Sequence, residues 1–177
     1  MLSVTGGVDN ERFDTKEAEV VCGTQRITIE SSCRITADPT EIWFRTAQPT
    51  GAVNTLIDRK KTNITVRCSG QEGQNVHLLV VPSKTGRDDY TAALSHEDGS
   101  TFEGIGLVYR LADVNEAPAL SCDGSNGMNR WGEALDMASK ISEGESRGVL
   151  HWGLCRLASP TDTGRYRTTA TVNFWID

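Results

Sequence analysis

The chain has 177 residues, and its 24 acidic and 18 basic side chains give a formal net charge of −6. This length is sufficient for one domain with a substantial core. The negative charge argues against a nucleic acid or an anionic membrane as a partner. Because no window of 18 consecutive apolar residues occurs, we expect a soluble protein without membrane insertion.

The N-terminal residues differ in composition from the rest of the chain. Gly6-Gly7 is followed by a polar run from Asp9 to Glu19, which is typical of a tail or a linker. The sequence therefore predicts an N-terminal extension or linker at 1–24 and one domain at 25–177. Leu2, Val4, Gly6 and Val8 alternate at the start of this extension, but the run is short.

After the extension, short segments rich in β-branched residues alternate with turn residues such as Asp38-Pro39, Thr85-Gly86 and Asp98-Gly99. This rhythm is typical of an all-β sandwich. Strands are predicted at Arg26–Glu30, Glu41–Arg45, Thr62–Cys68, Val76–Val81, Tyr90–Ser95, Gly104–Leu111, Gly148–Leu157 and Arg165–Ile176.

Two of these segments carry further information. The apolar run from Leu78 to Val81 predicts a strand that is covered on both faces. The stretch Trp131–Ile141 fits both a helical and an alternating pattern, and its all-β context favours a strand.

Five cysteines occur, and none of them forms a CxxC pair. The spacing therefore does not indicate a zinc ribbon or a thioredoxin-like site, and disulfides are the better interpretation. Cys122 and Cys155 flank a long region, and we predict a disulfide between them. Met1 is not followed by the basic and apolar stretches of an export signal, so we expect that signal to lie outside this sequence.

Catalytic and metal-binding patterns are absent from the sequence. His77, His96 and His151 stand singly, without an HxH or HExxH motif, and no GxSxG motif occurs. We therefore expect no enzyme activity, no catalytic residue, no metal and no cofactor. Among the aromatic side chains, Trp43, Phe44 and Trp152 are expected in the core, whereas Trp131 and Trp175 are candidates for stacking on a ligand.

The last segment alternates over its whole length. One face carries Tyr166, Thr168, Ala170, Val172, Phe174 and Ile176, and the other carries Arg165, Arg167, Thr169, Thr171 and Asn173, with Trp175 as its one large apolar residue. A strand that ends a chain without a hairpin partner leaves an open edge, and such an edge is a template for pairing with another chain.

This segment resembles the C-terminal strand of fimbrial (pilus) subunits assembled by the chaperone–usher pathway. Those subunits end in alternating apolar residues, with a glycine 14 positions from the C-terminus and an aromatic penultimate residue. Gly164 stands at that glycine position, and Ala170, Val172 and Phe174 fit the alternation. The sequence departs from the pattern at its penultimate residue, Ile176, since the aromatic Trp175 comes one residue earlier.

The resemblance implies an immunoglobulin-like (pilin) sandwich that lacks a strand and is completed by a donor strand from a partner. It implies a chaperone- and subunit-binding strand formed by Gly164, Tyr166, Thr168, Ala170, Val172, Phe174, Ile176 and Asp177, with the Asp177 carboxylate held by basic residues of the chaperone. It also implies a Cys33–Cys68 disulfide. Cys22 is then left over, with Cys33, a missing N-terminal segment or another chain as alternative partners.

The function implied is that of a minor or tip subunit, or of the pilin domain of a tip adhesin, in a bacterial surface fibre that supports adhesion. The expected partners are a periplasmic chaperone, an usher, neighbouring subunits and a host glycan or surface receptor, and the expected location is the fimbrium after export through the periplasm. The alternative is an autonomous secreted carbohydrate-binding sandwich, which would bind glycans as a stable monomer.

Overall fold

The computed structural model describes residues 2–5, 32–44, 52–159 and 165–177. The secondary-structure elements within these ranges are all β-strands, which confirms the all-β prediction. The strands are β1 (Leu2–Thr5), β2 (Cys33–Asp38), β3 (Glu41–Ile42), β4 (Thr55–Cys68), β5 (Val76–Pro82), β6 (Ala92–His96), β7 (Thr101–Ala112), β8 (Ala134–Asp136), β9 (Glu145–Arg156) and β10 (Tyr166–Ile176). The described residues contain no helix that could cross a membrane.

The strands form two layers that share β10. In one layer the order is β2-β4-β9-β7-β6, with the first two residues of β10 paired to β6. In the other layer, β10 continues between β5 and β1, β8 extends the sheet beyond β5, and β3 lies beyond β1. Buried side chains from both layers form one hydrophobic cluster. The result is a sandwich of the immunoglobulin-like type, in which the last strand passes from one layer to the other.

An aromatic group and one hydroxyl lie at the centre of this core. Trp152 on β9 is fully buried and stacks near Tyr109 and Trp131, with ring centroids 5.8 and 6.2 Å away. Its indole Nε1 donates a 2.9 Å hydrogen bond to Thr62 Oγ1, and the Thr62 hydroxyl in turn donates to the Pro39 carbonyl at 3.2 Å. This chain of bonds satisfies the buried indole N–H and ties β9, β4 and the β2–β3 corner together.

Most predicted strands are present, with shifted ends. Arg26–Glu30 lies outside the described residues. The predicted Glu41–Arg45 is reduced to a two-residue β3, while β2 was not predicted, and β4 begins at Thr55 instead of Thr62. The added part of β4 carries the charged run Asp58–Lys61, yet it pairs residue by residue with β9. The strand preference of Trp131–Ile141 is confirmed only for the three residues of β8.

Two burial predictions are wrong. In β5 the contiguous apolar run alternates between faces, so that Leu78 and Val80 are fully buried but Val81 is 36% exposed. The reason is that the other layer covers only the inner face of β5. Trp43 is 61% exposed and does not join the core, whereas Phe44 packs against it.

Both disulfides of the sequence analysis are present. Cys33–Cys68 links β2 to β4, where the two cysteines are directly paired across the strands. Cys122–Cys155 fastens the long β7–β8 connection to β9, within a small second cluster that includes Val108 and Met128. Cys22 lies outside the described residues, and the division at residue 24 stays a prediction.

Thr62→Val should destabilise the fold, because it keeps the side-chain shape but leaves the Trp152 indole N–H buried without an acceptor. The expected loss is about 1–3 kcal/mol of unfolding free energy, measured by urea denaturation. Thr65→Val, on the same strand but outside the Trp152 bond, serves as the control and should change stability by less than about 0.5 kcal/mol. Equal stability of the two variants would show that the Trp152–Thr62 bond contributes nothing.

Candidate strand-docking edge

The face of β10 that was predicted to be apolar points into the sandwich. Thr168, Ala170 and Val172 are buried, while Phe174 and Ile176 are half-buried and pack against the main core. The intervening residues lie on the outer face, as the alternation predicts. Burial therefore decreases towards the C-terminal end of the strand.

The backbone hydrogen bonds of β10 define its two edges. Ser83 N donates to Thr169 O at 2.8 Å, and Asp177 and Asn75 exchange two backbone bonds of 2.9 and 3.3 Å. Since an antiparallel pair exchanges bonds at every second residue, the odd-numbered residues from 169 to 177 bond towards β5. The backbone groups of Val172, Phe174 and Ile176 consequently point to the opposite edge.

That opposite edge is only partly covered by the described strands. β1 pairs with it in parallel from Thr168 to Thr171, in the register Leu2↔Thr168 to Thr5↔Thr171. Among the described residues, no strand pairs with the same edge from Val172 to Ile176. Because the parallel pairing of Thr5 with Thr171 directs the Val172 N–H towards the Thr5 carbonyl, the backbone groups on this edge that no described strand pairs are the N–H groups of Phe174 and Ile176 and the C=O groups of Val172, Phe174 and Ile176.

β1 also joins β10 to β3. On its far side it pairs antiparallel with β3, with Leu2 opposite Ile42 and Ser3 opposite Glu41. Within the described ranges, β1 is the one strand between β3 and β10. The sequence analysis assigned these residues to an extension and noted their alternation, but no pattern in the sequence could indicate the parallel direction of the pairing.

The end of β10 is held by a cluster of polar groups that the sequence analysis did not predict. The His77 imidazole lies 2.7 Å from Asp136 Oδ1 through Nδ1 and 3.0 Å from Asp177 Oδ1 through Nε2. Asn75 Nδ2 also donates to Asp177 Oδ1, at 3.1 Å. Trp175 stacks on the imidazole with a centroid distance of 5.3 Å and an interplanar angle of 16°.

The contacts within this cluster shift the pKa values of His77 and Asp177. The Asp177 carboxylate, 3.0 Å from Nε2, raises the pKa of His77 above its ordinary value of 6.5, and Asp136 adds to that effect, while burial opposes it. The His77 and Asn75 hydrogen bonds lower the pKa of Asp177. The imidazolium and the carboxylate therefore stabilise each other across β5 and β10.

The two tryptophans proposed for ligand stacking have different surroundings. Trp131 packs against the core, 4.5 Å from the Tyr109 ring between centroids, and its indole Nε1 donates to Tyr90 O at 2.9 Å. This position favours a core role for Trp131. Trp175 lies on the outer face of the sheet beside His77. Gly164, the glycine of the sequence pattern, lies outside the described residues.

The described part of the chain shows no cluster of side chains for a metal centre. No group of three or more His, Cys, Asp or Glu side chains there could hold a metal ion. His96 lies on β6 and His151 on β9, and these two strands are separated by β7. The absence of enzyme activity stays a prediction.

The fold and this edge define an immunoglobulin-like sandwich in which the described strands pair only part of one edge of the last strand. No protein-family model and no curated protein matches the chain. Among solved structures, it is similar to a chain of the CsuC–CsuE complex, a pre-assembly complex of a chaperone and a tip adhesion subunit from the archaic chaperone–usher Csu pili of Acinetobacter baumannii. The identity is 15% and the TM-score 0.45, and the match covers 83% of this chain and 40% of that chain.

The His77 cluster predicts a pH dependence of stability. Because the pKa of His77 is raised in the folded state, its contribution is fully present below about pH 6.5 and is lost as the pH rises through the folded pKa. Because the pKa of Asp177 is lowered, its contribution is present above about pH 3.8 and is lost as the pH falls through the folded pKa. His77→Gln should therefore destabilise the protein more at about pH 5.5 than at about pH 8.5.

Urea denaturation of both proteins at the two pH values measures this difference. His151→Gln is the matched control, because the pKa of His151 is lowered by burial instead of raised. An equal effect of His77→Gln at both pH values would contradict the interaction with Asp177.

Proposed function

We propose that the chain is a fimbrial subunit, of the minor or tip type or the pilin domain of a tip adhesin, and that it joins a bacterial surface fibre by donor-strand exchange. The observation that carries this proposal is the edge of β10 from Val172 to Ile176, which no strand of the described ranges pairs. A strand edge with free N–H and C=O groups beside half-buried apolar side chains is suited to β-augmentation by an extended segment.

The burial pattern supports the same position for the donor strand. Phe174 and Ile176 are half-buried, although both point towards the core. Apolar side chains from an incoming strand would complete their burial, and each fully buried side chain of this kind contributes roughly 1.5–3 kcal/mol. The main-chain bonds would supply further affinity, and the alternating side chains would fix the register.

The pairing of β1 with the first half of β10 also supports the proposal. It already occupies the space between β10 and β3, with four residues paired to β10. A sandwich in which four of the described residues cover this edge is suited to accept a longer strand from a partner. We propose a periplasmic chaperone as the first such partner and a neighbouring subunit, delivered at the usher, as the second.

A matched pair of arginine substitutions tests this function. Phe174→Arg introduces a charge on the face that would contact the donor strand, and Asn173→Arg introduces the same charge on the exposed outer face. The chain is co-expressed in the periplasm with a chaperone of the chaperone–usher pathway. We expect a one-to-one complex for the wild type and for Asn173→Arg, and at least about 100-fold weaker binding for Phe174→Arg, because an uncompensated buried charge costs roughly 3 kcal/mol or more.

Circular dichroism and non-reducing peptide mapping of both variants separate a binding defect from a folding defect. The proposal is contradicted if the wild type purifies as a stable monomer that forms no complex. It is equally contradicted if folded Phe174→Arg binds the chaperone as tightly as the wild type does.

A further inference from the structure

A second feature of β10 lies near its beginning, where three strands meet. Ser83 follows β5 and still bonds to Thr169, whereas two residues earlier Arg167 is paired with Ser95 of β6. The strands diverge at this point and leave a cavity of about 400 Å³. Its lining residues are Ser83, Ser95, His96, Gly99, Arg167, Thr168 and Thr169. We refer to it as the junction cavity.

The junction cavity is rich in hydroxyl groups. Four of its seven lining residues are serine or threonine, and His96 adds an aromatic wall, with its ring 4.8 Å from that of Tyr166 between centroids. Ser83 Oγ accepts a bond from Thr169 N at 3.3 Å, so its own proton remains available to donate to a ligand. A wall of neutral hydroxyls is complementary to the hydroxyl groups of a sugar.

The hydroxyls that can contact a ligand in the cavity are those of Ser83, Ser95 and Thr169. Thr168 is 6% exposed and lies on the core-facing side of β10, where its Oγ1 atom is buried. Its hydroxyl therefore does not reach a ligand in the cavity.

One cationic side chain, that of Arg167, also lines the cavity. Arg167 is exposed, and its guanidinium makes no ion pair or hydrogen bond with any residue that the structure describes, in contrast to Arg67 and Arg87, which both pair with carboxylates. The nearby carboxylate of Asp98 is already bonded to Ser100 N and Oγ, at 2.8 and 2.6 Å. An unpaired guanidinium beside hydroxyl donors is suited to bind a carboxylate in a bidentate manner.

We propose that the junction cavity binds an acidic saccharide, a sugar that carries a carboxylate, with Arg167 on the carboxylate and the serine and threonine hydroxyls on the sugar ring. The cavity volume lies within the usual range for small-molecule sites. One guanidinium among several neutral hydroxyls suits one carboxylate on a polyol. This site lies on the β5 and β6 side of β10, away from the edge at Val172–Ile176, so it does not depend on the proposed strand exchange.

Two sugars that differ only in the carboxylate test the proposal. Methyl β-D-glucuronide and methyl β-D-glucoside are titrated into the isotope-labelled full chain, and the amide signals of Ser95 and Thr169 are followed by NMR. We expect saturable shifts with the glucuronide and binding at least about tenfold weaker with the glucoside, because hydrogen bonds to charged groups are stronger than neutral ones.

Two arginine variants complete the test. Arg167→Gln should weaken glucuronide binding about tenfold or more, whereas Arg34→Gln, an exposed arginine on β2, should leave it unchanged. Equal binding of both sugars, no saturable shift with either, or an equal effect of the two variants would overturn the proposal. Phe174→Arg, which blocks the proposed donor strand, should still bind the glucuronide, so the two proposals can fail separately.

Discussion

The backbone N–H and C=O groups of the last strand, β10, need hydrogen-bond partners on both of its edges, and the rest of the structure depends on this constraint. β10 belongs to both layers, and its inward-facing residues, among them Ala170 and Val172, are part of the hydrophobic core between the layers. Its β5-facing edge is satisfied by regular hydrogen bonds, as the bonds at Thr169 and Asp177 show. Its other edge is covered by four residues of β1 and then, within the described ranges, is unpaired. A strand edge that lacks hydrogen-bond partners and lies beside half-buried apolar side chains is unfavourable in isolation. A strand that pairs with this edge therefore contributes to both stability and assembly.

The two ends of β10 have different surroundings. At the beginning, the strand passes from β6 to β5 and borders a polar cavity, where Arg167 makes no ion pair with a described residue. At the end, Asp177 is fixed by His77 and Asn75, which keeps Trp175 stacked on the imidazole. These contacts hold the end of β10 on β5, and none of the described strands pairs with its opposite edge at Phe174 and Ile176. A partner strand could therefore dock beside Phe174 without first breaking the β5–β10 pairing.

Much of this strand could be predicted from the sequence. The two-residue period of Thr168, Ala170 and Val172 directly determines which side chains face the core, because a strand places alternate residues on opposite faces. The fold class and the cysteine pairs also followed from pattern and resemblance. The first half of β4 did not, because the charged Asp58–Lys61 gives no apolar signal and is held in the sheet by its pairing with β9.

Other parts of the site depend on contacts between distant residues. His77, Asp136 and Asp177 are brought together by the pairing of β8, β5 and β10, and no local spacing relates them. The outward position of Val81 depends on which face the second layer covers. The direction of β1 beside β10 likewise has no local signal, because a four-residue alternation fits parallel and antiparallel pairing equally well.

Residue-resolved amide hydrogen exchange of the full chain tests the central claim most directly. The amides of Asn173 and Trp175, which bond towards β5, should be protected in the free protein, whereas those of Phe174 and Ile176 should exchange rapidly. Binding of a donor strand or of the chaperone should protect the second pair and leave the first unchanged. Protection of Phe174 and Ile176 in the free monomer, equal to that of Asn173 and Trp175, would contradict an open edge on β10.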